Sequence, residues 1–190
     1  ESKLATEVSA NLLNEVPATY PVQPIEVMVT ALALSLCDLT GSSTHLIELE
    51  SHGRIDSDGR TDLSRTVGWL TAMYPVHLNT GDTTSLNSAL RSVKETLRSV
   101  PNDGVGYGVL RYGAGILSHS DNIDVRFNYL GQAGSIFGDD SLFEPASESA
   151  GPTSAPDNPR DRALEINAIA SETGQRLVWT HTEALAPETL

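Results

Sequence analysis

The order of apolar patterns along this chain predicts an α/β (α+β) fold, a mixed β-sheet with helices packed on it, in one domain. Three observations carry that prediction. Ile123, Val125, Phe127 and Tyr129 alternate strictly with other residues, the period of a half-buried strand. Leu86, Leu90, Val93, Leu97 and Val100 step by 4, 3, 4 and 3, the period of an amphipathic helix. Leu164, Ile166 and Ala168 alternate again, and beyond the SETGQ turn Leu177 and Trp179 share one face. Ala163 to Ile169 and Arg176 to Thr182 therefore read as an antiparallel hairpin. A chain of 190 residues is long enough for one good hydrophobic core.

The elements follow in order. Leu4, Val8 and Leu12 recur at four-residue spacing and predict a short helix ending before Pro17. Pro24 suits the first turn of a second helix. Its body, Ile25 to Leu39, is apolar nearly all round and is expected to be buried on several sides, with Gly41 and Ser42 as its stop. His45 to Glu50 reads as a strand, and residues 52 to 64, rich in Gly, Asp and Ser, as a loop. Thr66 to Leu78 reads as two short extended pieces bent at Gly68 and Pro75. The Leu86 helix is expected to end at Pro101, and Asn122 to Leu130 to form a strand. Gly131 to Asp161, with many Gly, Ser, Pro and Asp, reads as a long excursion, a length that usually has a function. No internal repeat is present.

Twelve Lys and Arg against twenty-five Asp and Glu leave a net charge of −13. That balance disfavours tracking a nucleic-acid backbone or docking on an anionic membrane. No apolar run reaches spanning length and the start lacks a signal-peptide pattern, which points to a cytoplasmic protein. The chain begins inside a helical pattern with no initiator methionine, so it reads as a piece of something larger. The single cysteine, Cys37, lies in an apolar helical pattern and is assigned to packing. The five histidines show no metal-binding spacing, and no GxSxG elbow is present. GVGYG is not a dinucleotide fingerprint, because its glycines fall at 104, 106 and 108 after a helix and a proline. They are expected to permit a tight turn.

Several residues are candidates for chemistry. Glu50 closes a strand next to a Gly-containing loop, a common place for a working side chain and also for a solvated carboxylate. His52, two residues on, points the same way if the chain stays extended, so the two could set each other's protonation. Arg54 could orient a carboxylate, or be a surface charge near Asp56 and Asp58. Trp69, after Gly68, reads as a packing residue. On the strand alternation Tyr129 shares the face of Ile123 and Val125 while Asn128 shares that of Arg126. Asn128 or the Tyr129 hydroxyl could donate to a substrate oxygen.

Four blocks in fixed order add a further reading: ESHGR (50–54), RTVGWLTAMYP (65–75), PNDGVGYG (101–108) and FNYLGQ (127–132). Together they resemble the second half of an epimerization domain of a nonribosomal peptide synthetase. The resemblance implies a chloramphenicol-acetyltransferase-like lobe, the C-terminal one of two, with a latch-like loop at 131–161. It implies L-to-D conversion at the α-carbon of an aminoacyl or peptidyl thioester, tethered to the phosphopantetheine arm of a carrier protein, with no cofactor bound directly. The first glutamate of the ESHGR block, Glu50, maps onto a catalytic acid/base; beside it His52, Arg54, Trp69, Asn128 and Tyr129 are the candidate substrate-binding residues. The implied partners are the N-terminal lobe, a peptidyl carrier domain, and adenylation or condensation domains of the synthetase. That family also carries a HHxxxDG motif, and this chain has no adjacent histidines. The chain alone is therefore expected to be inactive or nearly so, since losing one acid/base partner commonly costs on the order of 10² to 10⁴ in rate. Ser51, Ile55 and Leu70 depart from the family pattern. A condensation-type domain and a degenerate docking lobe remain alternatives.

Overall fold

The computed structural model describes residues 1–56, 59–81, 85–117, 123–132, 142, 148, 151–152, 155, 157–171 and 174–185. The latch-like loop expected at 131–161 lies mostly outside the described residues. Six strands form one mixed sheet in the order β1-β6-β5-β4-β2-β3. They are β1 (Ser2–Lys3), β2 (Thr44–Ser51), β3 (Ala72–Asn79), β4 (Val125–Gln132), β5 (Leu164–Ser171) and β6 (Gly174–His181). β4 runs parallel to both β2 and β5, whereas β2–β3, β5–β6 and β1–β6 are antiparallel. The predicted hairpin is β5–β6.

Helix α3 (Pro24–Thr40) begins as the proline predicts and is closed by Gly41 in the left-handed region, φ +72°. Its start is a capping box in which the Gln23 backbone N–H donates to Glu26 Oε2 at 2.7 Å. The buried Glu26 carboxylate also accepts from Arg98 at 2.6 and 3.1 Å, joining α3 to α4 (Leu86–Ser99). Ser85 caps α4 by accepting from the Ser88 N–H. The core lies between these helices and one sheet face, built on Val29, Ala33, Ile47, Leu49, Val76, Leu78, Val93, Phe127 and Ile166. Cys37 is buried and packs there, its sulfur 3.3 Å from Thr80 Oγ1. Burial of α3 is one-sided rather than all round. Ala31 and Leu39 are exposed, and with Leu32 and Ser35 they border an apolar hollow of about 300 Å³.

Two local expectations are corrected and a third is extended. Pro17 does not stop the first helix: α1 (Thr6–Ala10) runs through a π-helical turn, Asn11–Glu15, into α2 (Val16–Thr19), and Pro17 falls directly after that turn, where the backbone hydrogen-bond register is already interrupted. Pro75 does not break its strand, because β3 is the sheet edge and a missing N–H is tolerated there. The glycine-rich segment holds the expected turn and more: Asn102, Asp103 and Gly104 all take left-handed backbone, φ +48°, +47° and +78°, and a helical run then follows, α5 (Val105–Gly108) and a π-helical turn at Val109–Gly113. Gly104, at φ +78°, is pressed against the Tyr74 ring, leaving no room for a Cβ. Among the described residues no single helix is long and apolar enough to cross a membrane.

Candidate active site

Alternation along β2 sends Ile47 and Leu49 into the helix-covered core and Glu48 and Glu50 to the other face. The parallel register sets Glu48 opposite Arg126 on β4, and Arg126 opposite Glu165 on β5. Asn128 and Asn167 are likewise paired, one step further along the same face. Three strands thus assemble a polar face from residues far apart in sequence.

Glu48 is its centre. The side chain is 5% exposed and is clasped by Arg126, 11% exposed, and Arg162, 16% exposed. Arg126 donates from Nε at 2.7 Å and lies 2.6 Å away through Nη2; Arg162 donates from Nη2 at 2.6 Å and from Nε at 3.2 Å. Arg126 also donates to Asp161 Oδ2 at 2.8 Å and faces Glu165 at 3.6 Å. Burial works against the Arg126 charge, but the hydrogen bonds and fields of Glu48 and Asp161 outweigh it and raise its pKa. Burial also pushes the Asp161 carboxyl up, and the two arginines pull it below its usual range. None of these residues was singled out for chemistry from the sequence. Two signals were present: a glutamate inside the apolar run Leu46 to Leu49, and an arginine inside the alternating strand that bears Asn128.

Glu50 stands beside this cluster near the end of β2, half-buried. Burial raises its carboxyl above the ordinary value of 4.5; Arg126 pulls the other way, and Glu165 and Glu48 add to the rise. Among the described residues neither Glu50 nor Asn128 makes a side-chain hydrogen bond, so both present free polar atoms to the same face. A carboxyl with a raised pKa and no fixed partner can exchange a proton with a ligand, and the amide beside it can donate to an oxygen.

The other candidate residues are distributed differently. Tyr129 lies on the core side of the sheet, half-buried, with its hydroxyl pushed up by burial, and so sits on the opposite face from Glu50. His52 does not pair with Glu50. β2 ends at Ser51, Gly53 turns the chain at φ +64°, and the His52 Nδ1 accepts from the Arg54 backbone N–H at 2.9 Å. Arg54 orients no carboxylate among the described residues. Its guanidinium donates to the carbonyls of Leu63, Thr66 and Gly68 at 3.1, 2.6 and 3.4 Å and so shapes the loop before β3. Gly53 completes that join, since a Cβ on it would overlap the Leu70 carbonyl. Trp69, carried by this loop, is 89% exposed, so it does not pack into the core described here. Ser51, one of the departures from the resembled pattern, stays in the strand and donates to the Asp103 carbonyl at 2.8 Å. Among the described residues no group of three or more His, Cys, Asp or Glu is arranged to hold a metal ion.

Comparison with known proteins bears on the fold. The condensation-domain family model matches residues 2–181. A linear gramicidin synthase of Brevibacillus parabrevis is 41% identical over 97% of this chain, which spans 4% of that protein. Chondramide synthase cmdD of Chondromyces crocatus is 38% identical over 94% of the chain, which spans 5% of it. The crystal structure of the epimerization domain from the third module of tyrocidine synthetase B superposes with a TM-score of 0.86 at 28% identity, covering 99% of this chain and 43% of that one. The first condensation domain of the CDA synthetase superposes with a TM-score of 0.61 at 15% identity, covering 100% and 40%.

Proposed function

The chain belongs to the condensation-domain family, and on that premise we propose that it is the Glu50-bearing lobe of an epimerization domain. In this reading it inverts the α-carbon of an aminoacyl or peptidyl thioester held on the phosphopantetheine arm of a carrier protein. The observation that carries the reading is the half-buried Glu50, its pKa raised chiefly by burial, on one sheet face with Asn128. The higher similarity to an epimerization domain than to a condensation domain supports it.

The chemistry follows from the acidity of the substrate. The α-proton of a thioester is weakly acidic, so a base must remove it while the enolate oxygen is stabilised. Glu50 is the base or acid on this side, and its raised pKa brings it closer to the operating pH. Asn128 is the donor nearest in register for the developing oxyanion. Inversion needs a proton on the opposite face, and a histidine from a HHxxxDG-bearing lobe supplies it. In this reading Trp69, 89% exposed on the loop held by Arg54 and Gly53, meets the substrate arm or the second lobe. His52 and Tyr129 act indirectly, through the loop and the sheet.

Peptide-bond formation is the second reading, favoured by the condensation domains that share this fold. The test is deuterium uptake at the α-carbon of an aminoacyl carrier protein, with this chain mixed with a HHxxxDG-bearing lobe. Exchange that Glu50→Gln abolishes supports epimerization. Dipeptide formation from two loaded carriers, indifferent to Glu50→Gln, supports condensation.

A further inference from the structure

The polar face carries more machinery than a catalytic carboxylate requires. Two guanidiniums, Arg126 and Arg162, meet three carboxylates, Glu48, Asp161 and Glu165, before Glu50 is counted. Both cations are committed: Arg162 to Glu48 and Asp161, and Arg126 to Glu48, Asp161 and Glu165. Glu48 takes both guanidiniums while nearly sealed from water, which fixes where the positive charge sits. Glu50, diagonal to Arg126 across β2 and β4, is at roughly 7–8 Å by sheet geometry and receives no ion pair among the described residues.

We propose that Glu48, Arg126, Arg162 and Glu165 are positioning residues that ration cationic charge on this face, so that Glu50 is left as its uncompensated carboxylate. The proposal deepens the acid/base reading of Glu50 and rests on it for its functional meaning. Each element that packs beside Glu50 contributes: Glu48 from its own strand, Arg126 from β4, Glu165 from β5, and Asp161 and Arg162 from the segment entering β5. The edge strand β3 sets the neutral Met73 opposite Glu50, with His77 lying opposite Leu46 further along. A ligand arriving at Glu50 therefore meets a group that holds its proton more readily than a solvated glutamate and has no salt bridge to break.

The test is a direct titration. Glutamate carboxyl resonances of the whole chain labelled with carbon-13 are followed against pH, with Glu50→Gln supplying the assignment. Glu165→Gln removes a repelling charge two strands away and should move the Glu50 midpoint down, by on the order of half a pH unit or less for a charge about 10 Å away in a half-wet site. Arg162→Gln releases the Glu48 charge and should move it up. A merely structural role gives no shift, or shifts of one sign in both variants, and either result overturns the proposal. Glu165 is 33% exposed and only grazes Arg126, so Glu165→Gln keeps the test decisive even if Arg162→Gln folds poorly. No turnover is needed. An unmoved midpoint with intact exchange rejects only the rationing, whereas a moved midpoint with no exchange rejects only the epimerase reading.

Discussion

Truncating Glu48 to alanine should be among the most costly single changes on the polar face. The variant leaves two guanidiniums, 11% and 16% exposed, without the carboxylate that both grasp. Four nitrogen contacts at 2.6 to 3.2 Å are lost together. Breaking a buried pair by removing one partner typically costs 3–5 kcal/mol, because charge is left buried and unpaired. Asp161, 65% exposed, and Glu165, 3.6 Å from Arg126, offer partial replacement, which places the expected loss at about 3 kcal/mol. A domain of this kind has a margin of only ~5–15 kcal/mol. With a urea slope of about 2 kcal/mol/M, the unfolding midpoint should fall by about 1.5 M at unchanged slope. Replacing Glu48, Arg126 and Arg162 together by methionine removes the desolvation cost as well as the attraction, so the triple variant should be more stable than the single one. A Glu48→Ala midpoint within about 0.3 M of the parent, or a triple variant weaker than the single, would refute the buried cluster as described.

The remaining expectations are narrower. Glu50→Gln should cut α-proton exchange by on the order of 10² to 10⁴ in the assembled domain, read by deuterium uptake. The same variant should be more stable than the parent at neutral pH. A carboxyl whose folded pKa is raised binds its proton more tightly when folded, so the parent loses stability as pH rises from the unfolded value near 4.5 through the folded one. The gain from Glu50→Gln should vanish below that window, and a gain present at all pH values counts against the raised carboxyl. Gly53→Ala places a Cβ on the Leu70 carbonyl at a left-handed φ and should cost about 2 kcal/mol or more, seen as a lowered thermal midpoint. Arg54→Lys cannot reach the three carbonyls in fork geometry, so trypsin should cut faster after Arg60 or Arg65 while global stability falls by about 1 kcal/mol. Trp69→Ala should leave stability within about 0.5 kcal/mol, since the ring is 89% exposed.

Strict periodicity made most of the fold legible. The alternation in β4 to β6 and the 4-3-4-3 stepping of α4 survive because one face of each is buried, so their side chains report the core directly. The helical run at 105–113 was not legible, since glycines at 106, 108 and 113 hide a helix from any propensity argument. Pro17 and Pro75 misled for a shared reason. Whether a missing N–H matters depends on where the residue lies in its helix or sheet, which is a tertiary fact. In the candidate site, Glu50 and Asn128 were legible through their blocks. The cluster around them was not, because Glu48 meets Arg126 and Arg162 across 78 and 114 residues of chain.

The topology supports the proposal that this is the working face. Strands with parallel neighbours on both sides are usually covered on both faces and read as near-continuous apolar runs. β4 has parallel neighbours on both sides, yet it carries Arg126 and Asn128 on one face, in line with Glu48 and Glu50 on β2 and with Glu165 and Asn167 on β5. A second apolar layer cannot pack on such a face without stranding those charges, at a cost of several kcal/mol each. Helices α3 and α4 cover the other side. An apolar replacement of the cluster should then preserve or strengthen the fold while releasing Glu50 from its charge environment. In the triple methionine variant, retained stability together with a displaced exchange-versus-pH profile is the expected outcome. An unchanged profile would mean that burial alone sets the behaviour of Glu50.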